Sequence, residues 1–278
     1  MLSSLLTAGM AAEEEKIVAA VTIPPQRFLV ERIGGGKIET LALVPPGADP
    51  HVYEPTPRQL ALMSRAKVYF KLGSGIEFEK AWLDKFISIN PKMTVCDTSA
   101  GIALLPSSGG HRHSSENNDP HVWLSPRNAA RMTENIVLCL AEIDPGNKEL
   151  YLRNSRQLQS ELRILDQEIS SILEPHQGGA FLVFHPAWAY FAADYGLTEI
   201  AIEDEGKEPS ARRLRDLVDK ARRQNMKTIF VSPPFATASA AAVAREIGAG
   251  LVELAPLSED YIANLKRAAS LLDENFRR

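Results

Sequence analysis

Only two of the 278 residues are cysteine, Cys96 and Cys139. That number supplies neither a disulfide framework nor a thiolate cluster for a metal. Cys96 lies in a strand-like stretch at 93–96 and Cys139 in a helical one at 136–140. Both read as buried small hydrophobes, the common setting of free cysteine, and whether the two pair stays open. No apolar run approaches the ~20 residues that a membrane span needs, so no stable membrane insertion is expected. Positive charge is not in excess either. The 31 Lys and Arg face 35 Asp and Glu, a net charge of -4, and without a basic face no nucleic-acid partner is expected. The hydrophobic share of 45% and the charged share of 24% are those of a globular protein. The length suits two lobes better than one core, and a monomer is expected.

The first fifteen residues lack the basic start of a full export signal. Residues 2–12 are mostly small and apolar, end in Gly9-Met10-Ala11-Ala12, and are followed by Glu13-Glu14-Glu15. This reads as the tail of a secretory signal with a small-residue cleavage site near Ala11 or Ala12. Met10 stands where a lipidated cysteine would follow Leu6-Thr7-Ala8-Gly9. An exported, unanchored protein of the periplasm is therefore expected, and the bland alternative is a disordered cytoplasmic N-terminus.

What the chain does have is a regular alternation. Residues 17–23 are a short, continuous apolar run ended by Pro24-Pro25, 38–44 and 67–72 read as further strands and 91–98 leads into a fourth, with helical spacing at 26–33, from Thr56-Pro57 onward and at 78–89. Continuous apolar runs are the mark of strands covered on both faces, as in parallel sheets. A second series follows: strands at 180–184, 199–202, 228–232 and 250–254, with helices at 187–195, 210–224, 236–247 and 258–276. Between the two series lies 148–173, amphipathic and free of Gly and Pro. As a helix it spans roughly 40 Å at 1.5 Å per residue, enough to join two lobes. The predicted fold is α/β, with two parallel-sheet lobes joined by one long rigid helix. The expected divisions are an N-terminal remnant (1–15), a first lobe (16–144), the linking helix (145–176) and a second lobe (177–278).

Within this frame one tetrapeptide occurs twice. Asp49-Pro50-His51-Val52 returns as Asp119-Pro120-His121-Val122, and a third histidine stands in Phe184-His185-Pro186. Each follows or is joined to a predicted strand end, and each lies beside a proline that stiffens its turn. The C-terminal edge of a parallel sheet is where ligands bind. Two of the histidines belong to the first lobe and one to the second, so a shared ligand would lie between them. Three neutral imidazoles suit zinc better than magnesium or calcium. His51, His121 and His185 are thus the candidate metal ligands. Asp49 and Asp119, two residues ahead of a histidine, are either acceptors for its ring N–H or turn caps. The polar, Gly/Ser-rich stretch 107–118 carries His111 and His113 and reads as a surface loop, either an auxiliary metal loop or an idle linker.

These segments resemble the zinc- and manganese-specific solute-binding proteins of bacterial ABC importers, the ZnuA/TroA-like family, nearly from end to end. The resemblance rests on 47–57, 119–126, Phe184-His185 with Tyr190-Phe191, Glu208-Pro209-Ser210, and 256–261. It implies a C-clamp of two lobes with the metal between them, His51, His121 and His185 as ligands, and an ABC permease as partner. The histidine at the third position is similar to the zinc branch, with manganese or another divalent metal as the lesser alternative. One position departs from the family pattern. Ala255 stands where an Asp ligand is usual before Pro-Leu. A fourth ligand would then be water or a carboxylate from elsewhere, Glu205 or Glu203 first, with Glu253 and Asp260 behind them. An uncompensated cation charge would weaken binding or change the metal preference.

The leading expectation is a non-enzymatic binding protein that captures a divalent metal, zinc first, and delivers it to the permease. The alternative is a zinc-dependent hydrolase with a three-His open site, since three protein ligands and an open position also describe catalytic zinc. No general base stands beside the motifs, which weighs against it. A surface adhesin on the same fold has nothing in the sequence to favour it.

Overall fold

The computed structural model describes residues 16–107, 118–203, 210–233 and 238–278. The expected N-terminal remnant 1–15, His111, His113 and Glu205 lie outside them. The first lobe contains β1 (Ile17–Val21), α1 (Pro24–Gly34), β2 (Ile38–Ala42), α2 (Pro57–Met63), β3 (Val68–Lys71), α3 (Glu77–Ile89), β4 (Thr94–Asp97) and α4 (Pro126–Ile143). The helix α5 (Lys148–Leu173) follows. The second lobe contains β5 (Ala180–Val183), α6 (Ala189–Asp194), β6 (Thr198–Ala201), α7 (Ala211–Arg223), β7 (Thr228–Val231), α8 (Ala238–Ile247), β8 (Gly250–Glu253) and α9 (Tyr261–Phe276).

Each lobe has a four-stranded parallel sheet, in the order β2-β1-β3-β4 and β6-β5-β7-β8. The two orders are the same pattern. In each, the first strand sits inside, and the chain turns left to the second strand and then right to the third. The crevice where the order reverses, at the carboxyl ends of the strands, is the standard ligand position of such sheets. The apolar runs explain the inner strands: Ala19, Ala20, Val21, Val68, Tyr69 and Phe70 are fully buried, which is what cover on both faces requires.

Local signals end the elements where the sequence places them. Thr56 caps α2, with its Oγ accepting the Gln59 N–H at 3.3 Å and Gln59 Oε1 accepting the Thr56 N–H at 2.8 Å. This reciprocal pair satisfies two donors that a helix start leaves open. Ser125 caps α4 through the Asn128 N–H at 3.0 Å. The interior stripe of α5 is Tyr151, Ser155, Leu158, Leu162, Leu165, Ile169 and Leu173, a three-to-four residue repeat along one face. That stripe packs on α1 and α4 of the first lobe and on α9 of the second. One continuous core therefore runs through both lobes, including Leu29 and Ile136 on one side and Leu265 and Leu272 on the other. A second, smaller core lies in the second lobe around Ile202, Val218, Ile229 and Val243.

The cysteines differ from the reading as two buried thiols. Cys96 and Cys139 form a disulfide, with Cα atoms 6.5 Å apart. The physical reason is tertiary: α4 packs against β4 at the sheet edge, and this brings together two positions 43 residues apart. Neither sequence neighbourhood carries that information.

Candidate metal centre

His51 leaves the loop between β2 and α2, His121 precedes a 3-10 turn (Val122–Leu124) that leads into α4, and His185 follows β5 directly. The three rings meet between the lobes, with centroids 5.4, 5.1 and 5.4 Å apart. The ring nitrogens they offer lie within 4.8 Å of one another. Tetrahedral zinc with Zn–N bonds of about 2.1 Å sets its nitrogens roughly 3.4 Å apart. The three nitrogens are thus grouped closely enough to belong to one site. His121 and His185 are 4% and 5% exposed, while His51 is partly exposed and forms the accessible wall.

Each ring is oriented by a carboxylate on Nδ1. The His51 N–H donates to Glu77 Oε2 at 2.6 Å, that of His121 to Asp119 Oδ1 at 2.8 Å, and that of His185 to Glu203 Oε2 at 2.7 Å. This fixes one tautomer on all three rings and leaves Nε2 as the ligand atom. The Nε2 atoms of His51 and His185 are both buried, and that of His51 has no hydrogen-bond partner among the described residues. A buried imidazole nitrogen carrying a lone pair is the feature a Lewis acid satisfies. The three carboxylates also place negative charge one ring away from the cation position.

The two aspartates of the repeated tetrapeptide divide their roles. Both accept the N–H of the histidine two residues on, at 2.8 Å. Only Asp119 also takes the ring N–H, so Asp119 is both turn cap and orienting group, whereas Asp49 is a cap. The ring partner of His51 is Glu77, in the first turn of α3 and not apparent in the sequence. Its surroundings are built for it. Gly73, at φ +82, has no room for a Cβ against Asp97. The Gly73 N–H donates to buried Glu79 at 2.9 Å, and Glu79 also accepts from Leu72 N–H and Thr22 Oγ. The start of α3 is thereby tied to β1 and β3.

The electrostatics of the rings differ. Burial acts to lower the His51 pKa, but the hydrogen bond and charge of Glu77, with Asp49 and Glu203 nearby, raise it overall above its usual 6.5. The His51 ring in turn outweighs the burial cost of the Glu77 carboxyl and holds it down at about 2. For His121, burial dominates, the two neighbouring imidazoles add to it, and the ring falls below 6.5 despite Asp119.

The candidates for a fourth ligand are placed as follows. Glu203 sits behind His185 on Nδ1, engaged with the ring and outside the group of nitrogens. Glu253, Ala255 and Asp260 line a separate cavity of about 260 Å³ with Ser258 and Arg267, whose lining includes none of the three histidines. Among the described residues the metal-capable group is the three imidazoles alone. Sequence reading missed Glu77 and Glu199 and gave Tyr190, named only as part of the resemblance, no role; Tyr190 and Glu199 hold the backbone on either side of the histidine segments.

The family model described as the periplasmic zinc-uptake complex component A, ZnuA, matches residues 19–275. The high-affinity zinc uptake system protein ZnuA of Bacillus subtilis is 30% identical over 257 residues, covering 87% of this chain and 79% of its own. The manganese ABC transporter substrate-binding lipoprotein PsaA of Streptococcus mitis is 30% identical over 232 residues, covering 80% and 74%. A crystal structure of a ZnuA, 41% identical, superposes with a TM-score of 0.89 over 94% of this chain and 99% of that one.

Proposed function

The chain belongs to the ZnuA family of periplasmic metal-binding components of ABC importers, and from that premise we propose that it captures zinc on His51, His121 and His185 and releases it to a partner permease. Members of this family are solute-binding transport proteins and not enzymes, which removes the hydrolase alternative. The relatives include zinc and manganese proteins, so the choice of zinc rests on this chain's own donors. The observation that carries it is the trio of imidazoles, each with a carboxylate on Nδ1 and none of them replaced by an oxygen ligand. Nitrogen donors favour zinc over manganese.

Ala255 offers no fourth ligand, and water or Glu205 completes the sphere in this reading. Asp119 and Glu203, 3% and 8% exposed, supply much of the negative charge that position 255 lacks, each through an imidazole. The rings become better donors for it. The charge deficit expected from Ala255 is therefore smaller than a bare three-imidazole site would carry. His111 and His113 are proposed to collect metal and hand it inward, and the site of action is proposed to be the periplasm, with the protein as a monomer.

Metal analysis and competitive titration of the purified, chelator-stripped protein test this. One equivalent of zinc, bound more tightly than manganese, is expected. His51→Ala, His121→Ala and His185→Ala should each weaken zinc by more than the 10–100-fold that loss of an outer partner costs. Tighter manganese binding, or three variants that titrate like the parent, would overturn the assignment.

A further inference from the structure

Leu105-Pro106 and Asn118-Asp119 lie side by side in the first lobe and form a narrow neck. Pro106 and Asn118 form an antiparallel bridge there, and the Asp119 N–H donates to the Leu105 carbonyl at 2.8 Å. The next polar pair of the neck, the Leu105 N–H and the Asp119 carbonyl, do not bond to each other. Both are taken by one phenol of the opposite lobe: Tyr190 Oη accepts from the Leu105 N–H at 3.0 Å and donates to the Asp119 carbonyl at 2.8 Å. Tyr190 is 4% exposed. Burial pushes its hydroxyl up to about 12, so the donor is present at every working pH.

Both ends of this contact lead to a histidine. Asp119 orients His121 through its ring and backbone N–H. Tyr190 stands five residues after His185, on α6, and the turn between them is fixed in place. Glu199 Oε1 accepts the Ala187 and Trp188 N–H groups at 3.0 and 2.8 Å. A chain of short contacts thus runs from the His185 turn through one hydroxyl to the backbone of Asp119, whose carboxylate aims His121. Trp123 adds a second crossing, its indole N–H donating to the Pro256 carbonyl at 2.8 Å, but it touches neither the neck nor Asp119 in this way.

We propose that Tyr190 is a positioning residue for metal capture, clamping both strands of the neck so that His121 and His185 are held in register across the crevice. The inference rests on the three-histidine reading above. It assigns a role to a side chain that does not touch the metal. The phenol also sets where the segment bearing His111 and His113 is rooted, at a point one residue from Asp119. A ligand set held from both lobes needs less ordering when the ion arrives, and pre-organisation of that kind appears as affinity.

The test is Tyr190→Phe, which keeps the ring and removes the hydroxyl. Zinc affinity by chelator competition should fall about tenfold, the lower end of what loss of an outer partner costs. The visible absorption of the cobalt(II)-loaded protein should change in position or intensity, because the imidazoles are no longer held in register. A purely structural role would lower the unfolding temperature of the metal-free protein and leave the affinity and the cobalt spectrum at parental values; that result overturns the proposal. If the parent itself takes up neither zinc nor cobalt, the three-histidine reading fails and not this step alone. Should Tyr190→Phe not fold, amide exchange of the parent decides: the Leu105 N–H should become more protected when zinc is bound, and equal exchange with and without zinc overturns the clamp.

Discussion

His51 and His121 stand in the same tetrapeptide and each has a carboxylate on Nδ1, yet their affinities for a proton are shifted in opposite directions, and on the proposed reading this difference should set the pH response of capture. An imidazole must be neutral to bind a metal. His121 is already shifted below 6.5 by burial. His51 is shifted above 6.5, where burial is outweighed by Glu77. As pH falls, His51 is therefore the ring whose shift brings protonation on early, and zinc affinity should fall as pH drops through its raised value. Glu77→Gln keeps a hydrogen-bond acceptor and removes the charge. It should move that fall to lower pH and cost about 10–100-fold in affinity at pH 7.5. Zinc titrations across pH 5–8 check this, and an unmoved midpoint would separate Glu77 from the His51 proton. In the metal-free protein the same pair has a defined stability window. The raised His51 value contributes stability below 6.5 that is lost as pH rises through it. The depressed Glu77 value contributes above 4.5 and is lost as pH falls towards about 2. The three ligand candidates were legible because a repeated motif and strand ends mark them. Asp119 was legible as one of two alternatives because it is two residues away. Glu77 was not, since 26 residues and a helix separate it from His51. Glu203 was flagged as a donor to the metal, whereas its carboxylate meets an imidazole N–H, a distinction that needs side-chain direction.

At the scale of elements, apolar runs and Pro or Gly boundaries marked every strand and the long helix within a few residues, because those signals are local. The departures arise where a distant group takes over. The helix expected at 187–195 is α6, Ala189–Asp194, since Glu199 holds the Ala187 and Trp188 N–H groups before the helix begins. The 3-10 turn Val122–Leu124 was assigned to no element, and its Trp123 lies buried with the indole N–H on the Pro256 carbonyl of the other lobe. The disulfide is the largest such case. It joins β4 to α4 and closes a segment of 43 residues that contains His121. Constraining an unfolded loop of that length is worth about 4 kcal/mol in the chain-entropy estimate. Replacing both cysteines by serine should lower the stability to urea unfolding by about that amount, and dithiothreitol should do the same to the parent. If neither lowers the midpoint, the bridge is not formed in solution or its loop stays compact when unfolded.

Over the whole molecule, the length and placement of α5 decide how far the lobes can move. Its 26 residues reach about 39 Å, and its apolar face belongs to the core of both lobes at once. A hinge needs an interface that can separate with little loss, whereas opening this one would expose Leu158, Leu162, Leu165 and their partners in α1, α4 and α9 to water at ~25 cal/mol per Å². Tyr190, Trp123 and Tyr261 add polar ties across the same boundary. Capture and release should therefore proceed by motion of loops and rings about a fixed frame. Leu162, 1% exposed in the middle of α5, is the position to test. Leu162→Ala should cost about 2–5 kcal/mol, the range for buried Leu to Ala. The loss should appear in both sheets together: hydrogen exchange at β1 and β3 and at β5 and β7 should accelerate by the same factor, because the stripe serves one shared core. Acceleration confined to one sheet would mean that the lobes unfold separately and that α5 is a tether and not a spine, and a hinge-driven release would then have to be considered in place of a rigid one.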